Sequence, residues 1–121
     1  MIFKQVFDKK TSTYTYLIAS SIGREALIID PVLDNINEYI SLLNELDLKL
    51  VKVIDTHIHA DHITAASKLK DITKCTTIMG DHTPAESVEI KVRDDEYIKL
   101  DNLKIKAMYT PGHTYDSYSF L

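Results

Sequence analysis

The sequence predicts a mixed, layered α/β domain, and three observations carry that prediction. The chain opens with segments rich in Thr, Tyr, Ile and Val that are bounded by turn residues. A continuous apolar run, Ala26-Leu27-Ile28-Ile29, follows, as in a strand covered on both faces. Beyond it the apolar period lengthens from that of a strand to that of a helix. The resulting order is β-β-β-α-β-α-β and then strands alone, which packs as layers of helix and sheet.

Taken in order, Ile2–Asp8 and Thr13–Ser20 read as two strands joined by a turn around Asp8-Lys9-Lys10. Ser21-Ile22-Gly23-Arg24 turns the chain into a third strand, Glu25–Asp30, which Pro31 ends because it has no amide proton for the ladder. Over Asn35–Leu46, residues Ile36, Tyr39, Ile40, Leu43 and Leu46 fall at helical spacing, with Asp34 or Asn35 placed to cap the start. Lys49–Asp55 is a further buried strand through Leu50, Val51, Val53 and Ile54. Asp61–Leu69 reads as a second helix with Ile63, Ala66 and Leu69 inward, and Cys75–Met79 as a short strand followed by a Gly-Asp-His-Thr-Pro turn. Val88–Val92, Glu96–Leu100 and Leu103–Tyr109 read as consecutive antiparallel strands turning at Asp94-Asp95 and Asp101-Asn102. Tyr118–Leu121 begins one more strand.

The 121 residues are one domain's worth of chain, read as a single unit over 1–121. Apolar residues at 45% and charged residues at 26% are ordinary globular values. A net charge of −4, with no basic cluster, argues against nucleic acid as a partner. No apolar run reaches the roughly 18 residues of a membrane span. Met1–Lys10 lacks the order of a signal peptide, and the single cysteine, Cys75, excludes an internal disulfide and fits a reducing cytoplasm. Cys75 reads as a small buried hydrophobe, His82 as a solvated turn residue, and Tyr14, Tyr16 and Tyr97 as core and strand-face packing.

The chemistry is concentrated elsewhere. Four of the five histidines, with one aspartate, sit in His57-Ile58-His59-Ala60-Asp61-His62 and Pro111-Gly112-His113-Thr114. Neutral imidazole and carboxylate are ligands that zinc and non-haem iron prefer. His57 and His59 stand two apart at the end of a strand, so both rings can reach one ion. Asp61 and His62 begin the next helix, at the carboxyl edge where α/β sheets place their ligands. Pro111 and Gly112 set a close approach for His113. Asp30 is either a plain strand-end residue or an acceptor that orients a metal-bound histidine through its other ring nitrogen. Thr56 stands beside the first histidine as a companion in such a supporting role.

His57-Ile-His59-Ala-Asp61-His62 with the distant Pro111-Gly-His113-Thr114 resembles the metallo-β-lactamase superfamily. Gln5-Val-Phe-Asp8, Ser12-Thr-Tyr-Thr-Tyr-Leu17, Ile28-Ile-Asp30-Pro-Val32, Thr56 to Thr64 and Asp116-Ser-Tyr-Ser-Phe120 are similar to its persulfide dioxygenase (sulfur dioxygenase) and glyoxalase II-like branch. The resemblance implies an αββα sandwich with a mixed sheet, of which this chain supplies the N-terminal half. It implies one Fe(II), held by His57, His113 and a later aspartate, with glutathione persulfide and O₂ converted to sulfite and glutathione. The alternative it implies is a glyoxalase II-like thioester hydrolase with two Zn(II). There His57, His59 and His113 hold one ion, while Asp61, read as catalytic, and His62 serve the other.

The family's completing aspartate, and the segment that grips glutathione, come after the strand that Tyr118 begins. The chain is therefore expected to be a truncated form whose own activity is compromised, leaving a non-enzymatic metal-binding half-domain as a third reading. Ala65-Ala66 replaces a position where the family usually has glycine. Half a sandwich leaves apolar faces and a sheet edge open, so self-association or a complementing chain is expected.

Overall fold

The computed structural model describes residues 2–56, 60–80, 90–101, 103–109 and 118–120. Its strands are β1 Ile2–Asp8, β2 Thr13–Ala19, β3 Glu25–Ile29, β4 Lys49–Ile54, β5 Thr76–Gly80, β6 Ile90–Val92, β7 Tyr97–Leu100, β8 Leu103–Tyr109 and β9 Tyr118–Phe120. The helices are α1, Ile36–Glu45, preceded by a 3₁₀ turn at Leu33–Asn35, and α2, Ala60–Thr73. Strands β1 to β6 form one six-stranded sheet in sequence order, and β7, β8 and β9 a second of three. β1, β2 and β3 pair antiparallel, whereas β3 to β6 run parallel.

Side-chain alternation sorts the core into two layers. Ala26 and Ile28 of β3 join Leu17, Ala19, Leu50 and Val53 beneath the helices, where Ile36, Tyr39, Leu43 and Leu69 pack. Leu27 and Ile29 point the other way, with Ile54 and Ile78, and meet Ile98, Leu100, Ile105 and Ala107 of the second sheet. Helices, large sheet and small sheet thus stack as α-β-β. The register between β3 and β4 slips after Ala26: Ala26 pairs with Leu50, but Leu27 with Lys52. The extra residue, Val51, is a bulge, and it lets Leu50 and Val53 both reach the helix layer despite their odd spacing.

Three expectations need correction. The segment ending at Val92 does not open an antiparallel run: β6 pairs parallel with β5 in the large sheet, and the antiparallel run that follows consists of β7, β8 and β9 alone. The residues leading into β6, 81–89, which include His82 and the predicted turn, lie outside the described residues. Neither Asp34 nor Asn35 caps α1 through its side chain; the Asn35 Nδ2 instead donates to Asp8 Oδ1 at 3.2 Å, tying the helix start to the first turn. Of the tyrosines read as core and strand-face packing, Tyr14 and Tyr97 pack on strand faces and not in the core. Tyr14 stacks on Phe7 at 4.8 Å and Tyr97 lies under the Lys104 ammonium, both exposed, and Tyr16 alone of the three packs partly on the core.

Other readings hold. Cys75 is buried, Ala66 and Leu69 face inward, and β9 pairs with β8. Ala65 and Ala66 of α2 are both buried, so their methyl groups fill space in the core between the helix layer and the sheet. The chain leaves α1 through a Schellman turn: Leu48 N–H donates to Leu43 O at 2.8 Å and Asp47 N–H to Asn44 O at 3.2 Å, with Asp47 left-handed. Among the described residues no helix is long and apolar enough to cross a membrane.

Candidate metal centre

The motif begins where three parallel strands end. Asp30 follows β3 and its N–H donates to Ile54 O at 2.8 Å; Asp55 follows β4 and its N–H donates to Ile78 O at 3.1 Å. The ladder therefore continues one residue past each strand, holding the carboxyl edge of β3, β4 and β5 in register up to Thr56. Ala60 opens α2, so Asp61 and His62 stand in its first turn, on the same edge. His57, His59 and His113 lie outside the described residues, as do the side chains of Asp61 and His62. Among the described residues no three metal-ligating side chains gather.

The two residues expected to support the ligands are bonded to each other. Thr56 donates twice to Asp30, from its backbone N to Oδ1 at 2.8 Å and from Oγ1 to Oδ2 at 2.7 Å. Both donors of the residue next to His57 thus end on one carboxylate, which fixes the backbone direction from which the motif departs. Hydrogen bonds to an ionised acceptor are the stronger kind. To present its carboxylate there, Asp30 adopts φ 54°, a left-handed conformation that Asp tolerates better than most residues.

Behind Asp30 lies a hydroxyl pair that pattern reading did not single out for the site. Thr15 Oγ1 donates to Asp30 O at 2.7 Å and lies 3.0 Å from the Tyr39 hydroxyl, which accepts the Val32 N–H at 2.9 Å. Tyr39 was visible in the sequence only as an apolar position of α1. The available signal was its phenol at a buried helical position, since a buried Tyr hydroxyl usually finds a partner.

Comparison with known proteins agrees with this architecture. Residues 9–97 match the metallo-beta-lactamase superfamily. Mouse persulfide dioxygenase ETHE1, a mitochondrial protein, is 32% identical over 122 aligned residues, which take in 100% of this chain and 48% of the mouse protein. A hydroxyacylglutathione hydrolase of Dictyostelium discoideum is 33% identical over 103 residues, covering 84% of this chain and 38% of that one. The crystal structure of ETHE1 from Myxococcus xanthus superposes with a TM-score of 0.92 at 43% identity, over 100% of this chain and 53% of that chain. The chain spans about half the length of the curated relatives it matches, and its α-β-β layers correspond to the N-terminal half of the sandwich. With the parallel edge, the motif at its end and the family match together, the chain belongs to the metallo-beta-lactamase superfamily.

Proposed function

We propose that this chain carries the metal-binding part of a persulfide dioxygenase-like site. The observation that carries the reading is the position of the motif: it leaves β4 from a threonine clamped by Asp30 and enters α2 with Asp61 and His62 in the first turn. The donor set fits a divalent transition metal, being imidazole and carboxylate without thiolate. His57 and His113 would hold a single iron together with one further carboxylate. A two-histidine, one-carboxylate face leaves positions open for O₂ and a sulfur ligand, which is the chemistry iron would supply. The overall conversion takes glutathione persulfide, O₂ and water to glutathione and sulfite. Cys75, buried under the helices, fits a reducing compartment such as the cytoplasm.

A second reading is favoured by the similarity to the Dictyostelium hydrolase and by the presence of Asp61 and His62 beside the first two histidines. In it two zinc ions are held, the first by His57, His59 and His113 and the second with Asp61 and His62, and the substrate is a glutathione thioester.

Elemental analysis of the purified chain, together with its solution mass, separates the readings. Iron near one equivalent, with O₂ uptake on glutathione persulfide, supports the dioxygenase reading; two zinc ions and hydrolysis of S-lactoylglutathione support the hydrolase. Metal without either activity supports a metal-binding half-domain, and a metal-free chain that takes up neither ion overturns all three. His113→Ala is expected to abolish stoichiometric metal, since it removes the ligand outside the first loop. Retained metal would place the ion on residues 57–62 alone.

A further inference from the structure

We propose that Thr15 and Tyr39 are positioning residues for the metal centre, acting through a directed hydroxyl relay that holds Asp30. The inference rests on the metal reading above, and it concerns residues outside the histidine motif. The relay's direction follows from counting protons. Thr15 has one hydroxyl hydrogen, and it goes to the Asp30 carbonyl, which can only accept. The contact between Thr15 and Tyr39 therefore has the phenol as donor. The phenol oxygen in turn accepts the Val32 N–H. Proton donation runs from Val32 N through Tyr39 and Thr15 to Asp30 O, closing a ring around the Asp30-Pro31-Val32 turn.

The ring sits where Asp30 most needs holding. Its φ of 54° is disfavoured for a residue with a side chain, and Pro31 offers no N–H to the turn. Thr15 and Tyr39 are each 2% exposed, so water does not compete for these bonds. The three segments joined are remote in sequence: β2, the turn after β3, and α1. With its N–H on Ile54, its carbonyl on Thr15 and its carboxylate on both Thr56 donors, Asp30 transmits the placement of α1 and β2 to the residue preceding His57. Displacement of a supporting residue of this kind typically lowers metal affinity about 10–100-fold.

The test uses the full chain in four variants. Tyr39→Phe and Thr15→Val remove one hydroxyl each at near-constant shape, Thr15→Ser keeps the hydroxyl, and Ile98→Ala weakens the core at the second sheet, away from the relay. Two quantities are read: the Kd for the loaded ion (Fe(II) under anaerobic conditions, and Zn(II)), and amide hydrogen exchange of Thr56 in the metal-free chain relative to Leu27 and Ile28. Tyr39→Phe and Thr15→Val are expected to raise Kd by at least about tenfold, equivalent to about 1.4 kcal/mol, and to speed Thr56 exchange selectively. Thr15→Ser is expected to restore both, and Ile98→Ala to leave Kd unchanged while shifting all core amides together. Unchanged Kd and exchange in the two hydroxyl-deleted variants would overturn the proposal, as would an equal loss in Ile98→Ala. Should Tyr39→Phe fail to fold, the Thr15→Val and Thr15→Ser pair decides. A wild-type chain that binds neither ion sinks the metal reading, while Thr56 exchange still decides whether the relay holds the clamp.

Discussion

At Asp30 a left-handed backbone coincides with a carboxylate that accepts two hydrogen bonds from one neighbour. Asn tolerates that backbone nearly as well, but its amide offers one acceptor oxygen where Thr56 presents two donors. Asp30→Asn is therefore expected to cost about 1–3 kcal/mol in chemical denaturation, the range for leaving a partly buried donor unpaired. A loss below a few tenths would show that the clamp is not formed. Asp101 makes a second, more exposed link. Its carboxylate accepts from Arg24 Nη2 at 3.2 Å, Ser20 Oγ at 3.1 Å and the Glu25 N–H at 3.3 Å, joining the second sheet to the first. The Arg24 hydrogen bond, foremost among these contacts, holds the Asp101 carboxyl below its ordinary value. A group depressed in the folded state stabilises above its unfolded value and loses that contribution as pH falls through the folded one. The stability gap between the wild type and Asp101→Asn is thus expected to be constant above about pH 4 and to close at lower pH. A gap that stays constant down to pH 2 would refute the link.

Among the elements, the two helices end alike, each on a non-glycine residue in the left-handed region: Asp47 at φ 53° and Lys74 at φ 62°. Lys74 N–H donates to Lys70 O at 2.8 Å, closing the last turn of α2. Glycine meets that geometry without a Cβ penalty, and the Lys74 side chain is exposed. Lys74→Gly is expected to raise stability by about 0.5–1 kcal/mol, the net of relieved strain and greater unfolded-state entropy. A fall in Tm would show that the lysine side chain stabilises this helix end. Strand periods were legible because they depend on near neighbours: Ala26–Ile29 of β3 and Leu50, Val53 and Ile54 of β4 stand buried as their apolar character implies. The sheet that β6 joins was not legible, since a strand of three residues carries no mark of its partner.

For the whole molecule, the α-β-β stack leaves apolar surface uncovered at its first strands. Phe3, Phe7 and Tyr14 are 54%, 46% and 49% exposed on one face of the β1–β2 hairpin, and β1 is the terminal strand of its sheet. An open edge beside exposed aromatics is a template for pairing with another chain. The chain is expected to self-associate with rising concentration, and Phe7→Lys to shift it toward monomer. A monodisperse monomer by light scattering at high concentration would sink this expectation.

Sequence by itself determined the layered class, the strand and helix periods, the family, and the short segments in which the candidate ligands stand. All of these reside in local spacing or in residue types a few positions apart. Only the tertiary structure decided that β6 extends the parallel sheet, that Val51 is a bulge, that Asp30 turns left-handed and seizes Thr56, and that Thr15 and Tyr39 stand behind it. Those facts belong to residues separated by 12 to 26 positions. Hydrogen-bond partners at such distances are chosen by how the layers pack, which no local pattern records.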